Sequence, residues 1–402
     1  MDVTVVAVFV VVYIAMAAGG LPGLALDRTG AALLGAIALM VMGDVATEDL
    51  QAAVHVPTLA LLLGLMVVSA QFRLSGFYSW LVRGMSGLPV SPPILLGWVM
   101  GAAGGLSALL ANDIICLAMT PVLIELCTKR GLRPLPFLLG LALASNIGSA
   151  TTLIGNPQNM LIGQVLEVDF GDYLASAFLP VMLSLGVAWL YLSWWFRGEW
   201  GGTMGKMEVQ APAFDHWQTV KGLVVLAGVV GAFLFSRLPH EVVALAAAGF
   251  LLCSRRMHTR SMLGLVDWPL LLLFTGLFVV NHAMQTSGNL DRLFAVAAEA
   301  GVNASDPGWL FVLSTVLSNL VSNVPAVMLL LPVASHEQAA LILALSSTLA
   351  GNLLLVGSIA NLIVAEQASV YGVRFGWIDH AKVGLPVGSL TLGICAAWLL
   401  MS

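Results

Sequence analysis

The chain has 402 residues, 59% of them hydrophobic and only 9% charged, with a mean hydropathy of +0.97 and a formal net charge of −5. That balance excludes a soluble domain, and so small and dispersed a charge gives nucleic acid nothing to bind. Four cysteines (Cys116, Cys127, Cys253, Cys395) lie far apart and form no CxxC, so neither a disulfide framework nor a metal site is expected. No stretch shows the ten-residue alternation of an outer-membrane barrel, which leaves an all-α polytopic membrane protein.

The first apolar run, Val3 to Ala18, lacks a basic leader and a convincing cleavage site and reads as a retained helix. Apolar runs at 3–19, 30–43, 57–72, 134–165 and 173–196 predict five crossings in the first half. Runs at 218–236, 239–253, 268–285, 338–369 and 384–401 predict five more in the second. Between the third and fourth crossing of each half lies a further apolar stretch, 93–127 and 307–335. Its arms of about 12–18 residues are short for a full span and read as a re-entrant hairpin. Segments 77–88 and 289–300 read as short interfacial helices. An odd number of crossings per half makes the two repeats inverted. The first repeat is expected at 1–197, with its hairpin at 93–127 and a broken helix at 134–165. The second is expected at 218–402, with its hairpin at 307–335 and a broken helix at 338–369. The polar stretch 198–217 links them.

Three pairs of signals carry the repeat. Pro57 to Ser75-Gly76 matches Pro269 to Ser287-Gly288, 212 residues on. Ala111-Asn112-Asp113 matches Ser322-Asn323-Val324 at a separation of 211. Gly155-Asn156-Pro157-Gln158-Asn159 matches Gly357-Ser358-Ile359-Ala360-Asn361 at 202. Drawn on this topology, fourteen of the sixteen Lys and Arg fall on one side, with only Arg237 and Arg292 on the other. The populous side is then cytoplasmic, which puts the linker inside and both termini outside a cell (inner or plasma) membrane.

Breaks inside apolar segments, at corresponding positions of two halves, point to a transporter's binding site. Irregular backbone at membrane depth must be buried in protein or line a cavity, and the helix N-termini at a break offer free N–H groups to an anion or polar ligand. Asn156 before Pro157 and Ser358 are expected to cap the second helices of the breaks, and Asn112 and Asn323 the second arms of the hairpins. Capping alone would account for each residue taken singly. Four breaks in matched pairs argue for a site, with Asn112, Asn146, Thr151, Asn156, Asn159, Ser322, Asn323, Ser358 and Asn361 as candidate substrate-binding residues. Asp113 is the one acid in the middle of an apolar run and the candidate for ion coupling; its repeat counterpart is Val324. The competing role for Asp113 is to complement the dipole of a helix's first turn. No Lys or Arg lies deep in a predicted span, so an anion would be held by amide dipoles, hydroxyls and Asn side chains, or the substrate is neutral or singly charged.

At these residues the sequence resembles the ion transporter superfamily, which includes divalent anion–sodium symporters, citrate permeases, arsenite permeases and some sodium/proton antiporters. The likeness covers nearly the whole chain. Symporters of the group typically carry Ser-Asn-Thr at each tip. The Ala111-Asn112-Asp113 tip is instead more similar to arsenite permeases and favours proton coupling or exchange. The resemblance implies secondary active transport, by alternating access, of a small anion or oxyanion, arsenite-like or carboxylate. It implies H+ or Na+ as the coupling ion, no cofactor, the lipid bilayer as surroundings and no nucleic-acid partner. Several members are homodimers, so the same state is open to this chain, although nothing in its residues points to a dimer. A sodium/proton antiporter is the alternative. An intramembrane enzyme is not expected, since HExxH, GxSxG and a second buried acid beside Asp113 are all missing. A channel fits paired breaks around a midplane site poorly.

Overall fold

The computed structural model describes residues 2–21, 23–202 and 212–401. Of the linker expected at 198–217, residues 203–211, including Lys206, lie outside the described residues. Apart from a two-stranded ribbon pairing Gly20–Leu21 with Leu26–Asp27, regular structure among the described residues is helical. The first ten helices are α1 (Val3–Ala18), α2 (Arg28–Met42), α3 (Leu50–Ala53), α4 (Val56–Leu74), α5 (Phe77–Ser86), α6 (Pro92–Ser107), α7 (Asn112–Lys129), α8 (Pro134–Ser149), α9 (Pro157–Val165) and α10 (Phe170–Trp195). The next ten are α11 (His216–Phe235), α12 (His240–Leu252), α13 (Thr259–Leu263), α14 (Trp268–Thr286), α15 (Asn289–Glu299), α16 (Pro307–Val321), α17 (Asn323–Leu330), α18 (Ala339–Ala350), α19 (Ile359–Val370) and α20 (Trp377–Met401).

Local sequence sets these boundaries. Asp2, Asp27, Asp169, Asp215, Asp267 and Asp306 each accept a hydrogen bond from the first turn of the helix that follows. Proline opens α6, α8, α9 and α16, where its missing N–H costs nothing. Among the described residues, α4, α10, α11, α14 and α20 are long and apolar enough to cross a membrane. At 16, 15 and 13 residues, α1, α2 and α12 are shorter than the ~20 that span a bilayer upright.

Glycines decide how closely the helices approach. A Cβ on Gly64 of α4 would sit 2.6 Å from the Ala244 carbonyl carbon of α12. A Cβ on Gly276 of α14 would sit 2.7 Å from the Ala32 carbonyl carbon of α2. Both members of the second pair are the first pair displaced by 212 positions, so α4 crosses α12 as α14 crosses α2. Small residues are what let apolar helices meet backbone to backbone where lipid supplies no hydrophobic drive. At the centre lies α8, every residue of which is buried, flanked by α6, α7, α10 and α19. The outer helices show the reverse: Phe178, Leu179, Leu183 and Leu190 of α10 and Leu223, Val224 and Phe235 of α11 are exposed, as lipid-facing surface requires.

The two tip regions differ in helix length. After the first tip, α7 runs through Pro121 to Lys129. After the second, α17 stops at Leu330, and a 3-10 turn, Leu331–Val333, carries Pro332. The equal Asn-to-Pro spacing in the sequence therefore ends in a long helix once and a short one once.

Candidate functional site

The α6–α7 tip and the α16–α17 tip meet the α8–α9 and α18–α19 breaks around one small cavity of about 30 Å³. It is lined by Asn112, Asp113, Pro157, Gln158, Leu270, Ser322, Asn323, Val324, Ser358 and Ile359. Four helix N-termini (α7, α9, α17 and α19) thus contribute their first residues to the same space, and each presents backbone N–H groups that no preceding turn can satisfy. No Lys, Arg or His lines it. Asp113 sits in the first turn of α7, and no side chain or backbone group among the described residues donates a hydrogen bond to its carboxylate.

Behind the cavity a buried amide and hydroxyl network ties the halves together. Asn146, near the end of α8, donates to Asn352 Oδ1 (2.9 Å) and Asn361 Oδ1 (3.1 Å). Its own Oδ1 accepts from Ser358 Oγ (2.9 Å) and Asn112 Nδ2 (3.4 Å). Thr348, near the end of α18, does the converse. Its hydroxyl accepts from Asn156 Nδ2 and Gln158 Nε2 (both 3.2 Å) and donates to Asn159 Oδ1 (3.3 Å). Thr348, Ser358 and Asn361 are Asn146, Asn156 and Asn159 displaced by 202. Each half therefore sends one polar side chain from its first broken segment to the cap and third residue of the other half's second segment. The brace is reciprocal.

Asn156 and Ser358 cap α9 and α19, accepting from Asn159 N (2.9 Å) and Ala360 N (3.2 Å), as their positions lead one to expect. Asn112 and Asn323 do not act as caps. They are the first residues of α7 and α17, which begin without a side-chain cap, and both point at a break instead. The backbone N–H of Asn112 reaches the Gly155 carbonyl at 3.4 Å. The Asn323 amide is satisfied with its nitrogen toward the carbonyls of Ser347 (3.1 Å) and Gly357 (3.2 Å) and its oxygen accepting from Gln158 Nε2 (3.2 Å). Gly155 and Gly357 are again 202 apart, so each tip docks on the matching carbonyl of its own break.

Of the residues singled out from the sequence, Asn112, Asp113, Ser322, Asn323 and Ser358 line the cavity. Asn146, Asn156, Asn159 and Asn361 stand in the network behind it. Asn159 and Asn361 face inward, donating to the Thr152 carbonyl (3.0 Å) and the Gly351 carbonyl (2.8 Å), which staples each break closed. Thr151 is buried away from the cavity with its hydroxyl unpaired. Gln158, Thr348, Asn352 and Leu270 were not singled out. Thr348 was accessible through the 202-residue displacement of Asn146, and Gln158 through its place inside the break motif.

Paired tips and breaks that gather free helix ends inside an apolar helical molecule define the class: a polytopic membrane transporter. The chain belongs to the citrate transporter family, whose profile matches residues 8–340, within the ion transporter superfamily. An uncharacterized transporter of Mycobacterium tuberculosis is 29% identical over 99% of this chain and 98% of its own. The silicon efflux transporter LSI3 of Oryza sativa subsp. japonica is 29% identical over 91% of this chain and 90% of its own. The putative transporter arsB of Dictyostelium discoideum is 22% identical over 90% and 85%. Among solved structures, the YdaH transporter of Alcanivorax borkumensis, described as having an unusual topology, shares the fold. Its TM-score is 0.59 at 16% identity, covering 99% of this chain and 95% of that one. Family and relatives alike are transporters and not enzymes.

Proposed function

We propose that the protein is a secondary active transporter of a small oxyanion or its neutral hydroxo acid, coupled to H+ or Na+ through Asp113. The observation that carries this reading is the tip cavity, where four helix N-termini and Asn and Ser side chains converge with no basic residue. Amide dipoles favour an anion but do not hold a multiply charged one as a guanidinium would. At about 30 Å³ the cavity has room for about one water, which favours a compact solute over citrate-sized carboxylates. The name of one relative, a silicon efflux transporter, points the same way. Small carboxylates remain the second substrate class. A transporter of cations alone, a sodium/proton antiporter, is the competing reading, supported by the unpartnered Asp113.

In this reading the two halves are inverted repeats of five crossings each, 1–197 and 218–402, joined by a cytoplasmic linker at 198–217. The tips at 93–127 and 307–335 re-enter the membrane, the broken helices are 134–165 and 338–369, and both termini lie outside the inner or plasma membrane. The helices α2, α4, α12 and α14, locked through Gly64 and Gly276, form the scaffold. The tips and breaks move against it to give alternating access, in a monomer or a homodimer.

The test is thermal stability of the purified protein with arsenite, silicic acid, small carboxylates and citrate, with and without sodium, at two pH values. A ligand at one hundred times its dissociation constant stabilises by about 2.7 kcal/mol. Stabilisation by arsenite or silicic acid supports the reading and stabilisation by a carboxylate moves it to that class. A response to sodium or lithium alone replaces it with the antiporter.

A further inference from the structure

The tip cavity shares a wall with one larger cavity of the molecule and none with that cavity's counterpart. A cavity of about 350 Å³ lies between the α1–α2 connection, the start of α14 and the start of α19, with Asp27, Arg28 and Asp267 in its wall. It shares two wall residues, Leu270 and Ile359, with the tip cavity. The matching cavity at the start of α4, about 640 Å³, is walled by His55, Gln164, Arg237 and Glu241 among others and shares no residue with the tip cavity. The larger cavity on the Asp267 side therefore meets the tip cavity at a junction of Leu270 and Ile359, which line both, whereas the cavity on the His55 side shares no wall with it.

Asp267 stands at the outer end of that junction and Asp113 at the inner end. Asp113 lines the tip cavity and Asp267 the larger one, with Leu270 and Ile359 as the wall between them. Asp267 caps α14, accepting from Leu270 N at 3.0 Å through Oδ1. The other charged groups in the same wall are Asp27, which caps α2 through Gly30 N (2.8 Å), and Arg28, whose Nε is bound to the Met16 carbonyl (3.0 Å). The turn before α19 and α19 itself contribute only Val356, Ile359 and Leu362. Two carboxylates in series across an apolar constriction suit a small monovalent cation: each, while charged, strengthens the other's hold on a cation, and a second cation arriving weakens the hold on the first, which allows entry and release.

We propose that Asp267 is the second carboxylate of the coupling site, a station at the mouth from which a proton or sodium ion passes Leu270 and Ile359 to reach Asp113. This rests on Asp113 being the coupling residue. Asp267 is a coupling station in its own right and not only the cap of α14. Its counterpart 212 residues earlier, His55, caps α4 in the same way, through Thr58 N at 3.4 Å, beside the cavity that shares no wall with the tip cavity.

The experiment is labelling of Asp113 and Asp267 by a water-soluble carbodiimide, read by mass spectrometry on the full chain. One arm is a pH series without sodium and the other a sodium series at fixed pH, and the arm that responds names the ion. In D267N the cap is kept, since Asn caps as well as Asp, and only the charge is lost. The midpoint of the Asp113 curve should move by roughly threefold or more in proton or sodium concentration, whereas D267E should keep it. L270W should slow Asp113 labelling about tenfold or more while Asp267 labels as before, because the junction is the route. A D267N curve that superposes on the wild type overturns the shared site, and normal Asp113 labelling in L270W overturns the route. If wild-type Asp113 labelling answers to neither pH nor sodium, the coupling role of Asp113 itself falls, and this proposal with it.

Discussion

The α8–α9 and α18–α19 breaks carry similar residues 202 positions apart, yet their surroundings differ. Around the first, Ser107 Oγ and Ser145 Oγ bond each other at 2.9 Å, Ser145 also reaches the Asn112 carbonyl (3.2 Å), and the Thr152 hydroxyl donates to the Ala108 carbonyl. Around the second, Ser318 and Ser347 occupy the matching positions, and both hydroxyls are buried without a partner, as are Asn319 Oδ1 and Asn352 Nδ2. The tips differ too. Ala111 has an ordinary backbone (φ −56°), whereas Ser322 is held at φ 77°, ψ 160°, a region that glycine alone enters freely. The first half makes hydrogen bonds that the second lacks, although Asn112 Oδ1 and Thr151 Oγ1 are unpaired there too, and the second half keeps more unpaired polar atoms and the strained tip. Matching residues in the two halves are thus packed unequally around one cavity.

The largest expected effect comes from filling space in the two breaks. A Cβ on Gly155 would lie 2.2 Å from the Ser149 carbonyl oxygen and 2.7 Å from that of Ser107, both backbone atoms that cannot move alone. On Gly357 the nearest atom is Asn319 Oδ1 at 2.9 Å, the far end of a side chain. G155A is expected to cost about 3 kcal/mol or more and G357A about 1 kcal/mol or less, read as thermal stability of the purified proteins. Equal losses would erase the difference in packing between the two breaks.

Next come the braces that cross between halves. N146A removes the partner of Asn352, Asn361, Ser358 and Asn112 together, and T348V removes that of Asn156, Gln158 and Asn159. Leaving buried polar groups unpaired costs about 1–3 kcal/mol, less where a membrane interior offers substitutes, so about 2–3 kcal/mol is expected for N146A and about 1–2 for T348V. A double variant that loses no more than N146A alone would mean that the two braces act as one unit. The smallest effect separates the serines. S107A breaks a made bond and should cost about 1 kcal/mol, whereas S318A deletes an unpaired hydroxyl and should be neutral or stabilising. A cost for S318A equal to that of S107A would mean that Ser318 has a partner in solution.

Much of this architecture was legible in the sequence because breaks in apolar helices need residues of limited kinds. Gly155-Asn156-Pro157 can hardly be anything but a stop, a cap and a first turn, and α9 starts there. Displacements of 202, 211 and 212 also located Ser358, Asn323 and Gly288 relative to their partners. The site was only partly legible. Asn112 and Asn323 look like caps because Asn before a helical run ordinarily caps, but here each helix begins one residue earlier, with Ala111 and Ser322 at the cap position, and the two Asn are its first helical residues. Asn159 and Asn361 look like cavity residues, but their amides close the loops of their own breaks. Thr348 looks like a hydroxyl bonded to its own helix, the usual case in an apolar run. Its real partners lie about two hundred residues away, and no local pattern reports a contact of that kind.

The proposed transport site, formed by tips and breaks with its ion coupling through Asp113, stands or falls on D113N in proteoliposomes, with arsenite flux measured first as exchange without a gradient and then under an imposed pH or sodium gradient. Exchange should persist within a fewfold of wild type while gradient-driven flux falls at least about tenfold, because Asn keeps the shape of the site but holds no exchangeable charge. Gradient-driven flux at the wild-type rate in D113N would contradict that coupling.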